Sequence, residues 1–101
     1  MKNLISIVMP SFNHGQFLNQ AIQSVVDQTY QNWELIIVDN FSNDNTDSII
    51  SSFKDKRISQ IKIKNHGIIA KSRNVGIKHS KGELIAFLDS DDWWKKEKLE
   101  L

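Results

Sequence analysis

The sequence contains no cysteine, which excludes a disulfide framework and thiolate metal sites. That absence fits the cytoplasm, and a cytoplasmic protein is expected. Its single proline, Pro10, cuts off the apolar run of "MKNLISIVMPS". The N-terminus therefore reads as a first strand rather than a signal peptide. No apolar run approaches the roughly 20 residues needed to span a bilayer. An excess of one charge is lacking too, since 13 Lys and Arg face 12 Asp and Glu for a formal charge of +1. No basic stripe calls for nucleic acid, and there is no acidic tail. The glycine motifs that cradle phosphates are missing: there is no G-x-x-x-x-G-K-[ST], and no G-x-G-x-x-G follows the first strand. What remains is 101 residues, 40% hydrophobic and 9% aromatic, the composition of one modest globular domain.

Along the chain, strand and helix patterns alternate. "LISIVM" is a short, β-branched, apolar run that predicts a buried strand. "GQFLNQAIQSVVDQ" places Phe17, Leu18, Ala21, Ile22, Val25 and Val26 on one helical face. "ELIIVD" is a second buried strand, and "NFSNDN" is a loop dense in turn residues. "TDSIISSFK" predicts a short helix with Thr46 or Asn45 as N-cap. "ISQIKIK" alternates, as a strand covered on one face near a sheet edge does. A third helix is expected from Ile68 to about His79, then a strand at "LIAFLD" and a last helix at "WWKKEKLEL". This order predicts an α/β fold with a Rossmann-like, mostly parallel sheet and flanking helices.

Ligands of such sheets bind beyond the carboxyl ends of the strands, at the switch in strand order. Three strands end in informative residues: "PSFN" (Pro10 to Asn13), Asp39 with Asn40 and Ser42, and "DSDD". The last crowds Asp89, Asp91 and Asp92 into four positions. Two like charges about 4 Å apart repel by roughly 4 kcal/mol near a protein surface. Protonation, splaying into water or a bound cation would relieve that cost. Phosphates with no glycine cradle are naturally held through a cation, and oxygen-only ligands favour Mg²⁺ or Mn²⁺.

Four segments together resemble glycosyltransferase family 2, specifically its N-terminal, nucleotide-sugar-binding half with the GT-A fold. "ISIVMPSFNHGQFLNQAIQSVVDQTYQNWELIIVDN" is similar to the opening strand, P-[TS]-[YF]-N loop, helix and second strand. "DNFSNDNT" resembles the D-[DN]-x-S-x-D-x-T loop, and "NHGIIAKSRNVGI" the N-x-G-x-x-x-A-R-N-x-G helix. "GELIAFLDSDDWW" resembles the strand and D-x-D metal motif. The match covers nearly the whole chain in the right order.

The resemblance implies roles for particular residues. Asp39 would contact the nucleobase, and Pro10 and Ser11 would line its pocket. Arg73 would lie near the base or diphosphate. Asp89 would approach the ribose or metal region, Asp91 would be the direct ligand of Mn²⁺ or Mg²⁺, and Asp92 would arrange the loop. The implied donor is a nucleoside-diphosphate sugar, with a UDP-sugar favoured. The implied reaction is inverting transfer to an acceptor glycan or lipid-linked sugar, within cell-surface polysaccharide biosynthesis. Three departures stand out: Asn40 replaces a frequent Asp, Phe41 a frequent Gly, and Ser72 a common Ala. Phe41 leaves that turn without glycine's freedom at positive φ.

The implied catalytic base belongs to a second half, so residues 1–101 are expected to be a truncated GT-A unit, the donor-binding part of a longer enzyme. Two further readings are a non-catalytic nucleotide-sugar-binding module and a phosphoacceptor receiver domain. A receiver would carry paired acids where this chain has "PSFN". His14, His66 and His79 lack metal-ligand spacing and read as surface or loop residues. Asn74 and Gly76 read as helix-packing residues, and Trp93 and Trp94 as a lid or contact. Lys95, Lys96 and Lys98 form a short basic run that reads as a solvated face, with contact to the inner face of a membrane as the alternative. An exposed sheet edge and apolar face are expected to favour self-association.

Overall fold

The computed structural model describes residues 3–99. Seven elements follow in chain order: β1 (Ile5–Ser11), α1 (Gly15–Val26), β2 (Trp33–Asp39), α2 (Thr46–Ser52), β3 (Ile58–Lys62), α3 (Ile69–His79) and β4 (Leu84–Phe87). The four strands form one sheet in the order β3-β2-β1-β4, and every pairing is parallel. The sheet grows from β1 through β2 to β3, then reverses to place β4 on the other side of β1. The switch point therefore lies between the carboxyl ends of β1 and β4.

The core follows from alternation along the two central strands. Ile5, Ile7 and Met9 of β1 and Leu35 and Ile37 of β2 face one side, where Leu18, Ala21, Ile22 and Val25 of α1 and Ile50 of α2 cover them. Val8, Ile36 and Val38 face the other side, packed with Val75 of α3 and with Ile61 and Ile63. Both central strands are thus covered twice, which is why each reads as a continuous apolar run. β3 and β4 are the edges, and Leu84, Ile85 and Phe87 of β4 stay largely exposed. Phe17, assigned to the buried face of α1 by periodicity, is exposed instead and sits edge-on against the His14 ring.

β1 runs through Pro10 rather than stopping before it, with Pro10 opposite Val38 and Ser11 opposite Asp39. Residues of one parity in β1 bond to β4, as the Leu88 N–H to Val8 carbonyl bond at 3.1 Å illustrates. Pro10 has that parity, but β4 pairing ends at Val8 opposite Phe87. A missing N–H costs nothing where no ladder partner remains.

The last helix expected at "WWKKEKLEL" does not form among the described residues; Lys96 to Leu99 make a turn. The reason lies in Gln28, which is buried at the end of α1. Its Nε2 donates to the Lys95 carbonyl at 2.7 Å, and its Oε1 accepts the Leu99 N–H at 3.0 Å. The Lys96 carbonyl accepts the Thr29 N–H at 2.9 Å. Groups that a helix would bond internally are spent on tying this segment to α1. Residues 100 and 101 of that segment lie outside the described residues.

Candidate functional site

A cleft of about 200 Å³ opens at the switch point, lined by Pro10, Ser11, Phe12, His14, Asn65, Ile69, Arg73, Asp89, Ser90 and Asp91. Five of the six sequence-predicted site residues are therefore brought together: Pro10 and Ser11 from the end of β1, Arg73 from α3, and Asp89 and Asp91 from beyond β4. The α3 wall stands close to the sheet because residue 76 is glycine. A Cβ there would lie 2.4 Å from Val8 Cγ1, well inside contact distance. Ile69 and Arg73, one turn apart on α3, present to the cleft as a result.

The acidic cluster lies open to water, where charge repulsion is screened. Asp89, Asp91 and Asp92 are all exposed. Asp89 Oδ1 lies 3.6 Å from Arg73 Nη2, and both side chains are about half exposed, at 58% and 44%. Such an open pair contributes little to stability, so its value is positional. Arg73 also lies 5.7 Å from the Phe87 ring centroid, over its face. Asp92 Oδ1 accepts the Trp93 N–H at 2.8 Å, and the Asp92 N–H donates to the Asp89 carbonyl at 3.0 Å, closing a turn. Among the described residues no helix follows for Asp92 to cap.

Asp39 stands elsewhere. It is fully buried at the end of β2, opposite Ser11 in register, and outside the cleft lining. Its Oδ2 accepts the Ser42 N–H at 3.1 Å and its Oδ1 the Ser42 hydroxyl. The following loop is clasped to α1. Asn13 donates its N–H to Ser42 Oγ at 2.8 Å and accepts the Asn43 N–H at 2.9 Å. Asp44 Oδ2 accepts the Gly15 N–H at 2.9 Å, while Asp44 Oδ1 accepts both the N–H and the hydroxyl of Thr46. These bonds, the Thr46 hydroxyl foremost, hold the Asp44 carboxyl below its usual pKa. Asn45, one of the two expected caps, takes the N-cap position of α2 but makes no side-chain cap bond; Asp44, the residue before it, accepts the Thr46 N–H instead.

The departures from the family pattern have local explanations. Asn40 Oδ1 accepts the Asn65 N–H at 3.0 Å, strapping the loop after β2 to the one after β3. The buried Ser72 hydroxyl accepts from Asn65 Nδ2 at 2.9 Å, fixing another cleft residue. Phe41 adopts φ +47° without being glycine.

One hydroxyl in the cleft wall is unused. Ser11 Oγ is buried without a hydrogen-bond partner among the described residues. Buried polar groups are nearly always paired, which makes this hydroxyl an exception beside the cleft. The residues also suit a divalent cation held jointly with a ligand. Asp89 and Asp91 supply hard oxygen donors, and no cluster of three or more potential ligands occurs among the described residues. Mg²⁺ typically takes one or two carboxylates and completes its shell with phosphate and water.

Sequence reasoning missed His14. Read as a loop residue, it lines the cleft and bonds through Nδ1 to Ser90 Oγ at 2.7 Å. The partners lie 76 positions apart, and no local pattern carries such a signal.

In an open parallel α/β sheet the cleft at the switch point is where ligands bind. The family model for glycosyl transferase family 2 matches residues 6–101, and the chain belongs to that family. It is 44% identical over 98 residues to the UDP-Glc:alpha-D-GlcNAc-diphosphoundecaprenol beta-1,3-glucosyltransferase WfgD of Escherichia coli, covering 97% of this chain and 39% of WfgD. The structure of S. aureus TarS 1-349 in complex with UDP matches with a TM-score of 0.89 at 31% identity, over 98% of this chain and 30% of that one. The mannosyltransferase PcManGT from Pyrobaculum calidifontis, solved with GDP-Man and Mn²⁺, shares the fold at a TM-score of 0.83 and 20% identity, over 93% of this chain and 29% of that one. The chain spans about two fifths of the length of the curated relatives it matches first. No helix among the described residues is long and apolar enough to cross a membrane.

Proposed function

We propose that residues 1–101 form the donor-binding domain of a longer, metal-dependent, inverting glycosyltransferase, and that the switch-point cleft takes a nucleoside-diphosphate sugar. The observation that carries this reading is the convergence of Ser11, with its orphaned hydroxyl, and of Arg73, Asp89 and Asp91 on one cleft. Complexes of similar proteins with UDP and UDP-GlcNAc support a UDP-sugar as donor. At about 200 Å³ the cleft is below the ~300–1,000 Å³ of a complete small-molecule site. It holds part of the donor, and the rest of the enclosure comes from beyond this chain.

Each residue has a task. Asp91 holds Mn²⁺ or Mg²⁺, and Asp89 flanks the ribose and metal region. Arg73 donates to the diphosphate or base, and Pro10 and Ser11 wall the base pocket. A carboxylate offers about four lone-pair sites, so Asp39 keeps capacity for a ring N–H while Ser42 holds it. When bound, the ion stabilises the negative charge of the leaving nucleoside diphosphate as a Lewis acid. The acceptor, a glycan or lipid-linked sugar, and the carboxylate that deprotonates it are assigned to the part of the enzyme outside this chain. The site of action is the cytoplasm, at the inner face of the membrane.

Calorimetric titration of the protein with UDP, with and without Mn²⁺, tests this reading. UDP affinity should rise at least tenfold with the ion, and Asp91→Asn should abolish the rise. Equal affinity under both conditions would overturn the metal assignment. A protein that binds no nucleotide under either condition is not a donor domain.

A further inference from the structure

We infer that His14 is a positioning residue that, through Ser90, fixes the turn carrying Asp89 and Asp91; its purpose rests on the nucleotide-sugar reading above. β1 and β4 are tied by backbone bonds as far as the Leu88 N–H to Val8 carbonyl contact. Beyond it the two chains separate, one into the loop leading to α1 and the other into the acidic turn. The His14 to Ser90 hydrogen bond at 2.7 Å bridges these two segments.

Both ends of the bridge are firmly held. The His14 carbonyl accepts the N–H groups of Phe17 and Leu18, each at 2.9 Å, so the residue is anchored on the first turn of α1. Its ring rests edge-to-face against Phe17, with centroids 6.4 Å apart. Ser90 is fully buried, although its neighbours Asp89 and Asp91 are exposed. The turn is thus pinned at its middle residue by a side chain from another element, while the two flanking carboxylates stay open to the cleft. A site that offers a cation few protein ligands depends on how those ligands are held beforehand. The bridge supplies that hold from the wall of the cleft.

The role is separable from packing by choice of variant. Asn places a hydrogen-bonding atom near the position of imidazole Nδ1, whereas Phe keeps the ring and removes the bond. In the free protein, ¹⁵N relaxation should show the amides of Asp89 to Asp92 equally ordered in wild type and His14→Asn, and less ordered in His14→Phe. The Mn²⁺-dependent gain in UDP affinity should fall about fivefold in His14→Phe and recover in His14→Asn. Ser90→Ala should match His14→Phe and add nothing to it in the double variant. Unchanged turn dynamics in His14→Phe, or equal losses in the Phe and Asn variants, would overturn the inference. A turn that depends on His14 in a protein that binds neither UDP nor Mn²⁺ supports the tether and overturns the nucleotide reading instead.

Discussion

Gly76 of α3 lies so close to Val8 of β1 that a Cβ on it would come within 2.4 Å of Val8 Cγ1 and 3.0 Å of Cγ2. Val8 is fully buried and central in the sheet, so it cannot move aside cheaply. Gly76→Ala should push α3 outward and cost about 1–3 kcal/mol, the usual range for overpacking a core. The gain in helix propensity of up to about 1 kcal/mol offsets only part of this. Urea unfolding of the two proteins measures the difference. Because α3 also carries Ile69 and Arg73 into the cleft, nucleotide affinity should drop in parallel. A variant as stable as the parent would mean that the helix has room to spare.

Asp39 and Ser42 make the second test. Asp39 is buried with its two oxygens engaged by Ser42. If it also accepts a ring N–H, bases that offer one at that edge should bind best. UDP and dTDP should lead a series with GDP, ADP and CDP, with GDP next. Asp39→Ala should flatten the series. Ser42→Ala, which leaves the acid but frees one oxygen, should preserve the order. Competition binding across the five nucleotides reads this directly. A flat series in the parent, or an unchanged order in Asp39→Ala, removes the role assigned to Asp39.

Much of this architecture was legible because it is local. Continuous apolar runs at Ile5 and Leu35 announce strands covered on both faces, and the acids just past β4 fall on the wall of the switch-point cleft. β3 was correctly placed at an edge from its alternation. What escaped depends on partners remote in sequence. The Gln28 bonds that turn Lys95 to Leu99 away from a helix span about 70 residues, and the His14 to Ser90 bond spans 76. Phe41 shows a different limit. Steric preference argues against a left-handed Phe, at about 1–2 kcal/mol per residue, yet Phe41 adopts φ +47°, directly before the Ser42 and Asn43 bonds to Asn13.

Acid should loosen the loop that holds the β2 end. Asp44, Asp47 and Asp55 all have lowered pKa values, caused chiefly by side-chain hydrogen bonds from Thr46, Lys62 and Arg57 respectively. A depressed carboxylate contributes stability that is fully present above its unfolded pKa, about 3.9, and is lost as pH falls through the folded value. Stability should therefore hold from neutral pH down to about 4 and decline below it. Lys62, raised by Asp47, acts at the opposite end. Its contribution persists up to about pH 10.4 and fades above the folded pKa. Melting temperatures recorded between pH 2 and 7 should show a shallower acid decline in Asp44→Asn than in the parent. An identical slope would show that the Asp44 bonds to Gly15 and Thr46 contribute no net stability.

β4 makes the last test. It is an edge strand whose Leu84, Ile85 and Phe87 are 39%, 41% and 45% exposed. Beside it Ile5, Trp94 and Leu99 line a shallow depression with Leu84 and Ile85. An unpaired edge next to an apolar surface invites a further strand, from the proposed longer enzyme or from a second copy. The chain alone should then associate with itself as concentration rises, and charge on the outer edge should suppress this. Sedimentation of the parent and of Ile85→Lys compares the two, with the variant expected to stay monomeric. The same chain should bind UDP weakly and transfer little or no sugar, because an acceptor hydroxyl needs both a place and a base. Acid–base help alone is worth roughly 10²–10⁴-fold in rate. A radiolabelled-donor assay over a panel of acceptors measures transfer. Brisk turnover by this chain would place the catalytic base within residues 1–101, and a parent that remains monomeric at high concentration would leave the β4 edge without a role in association.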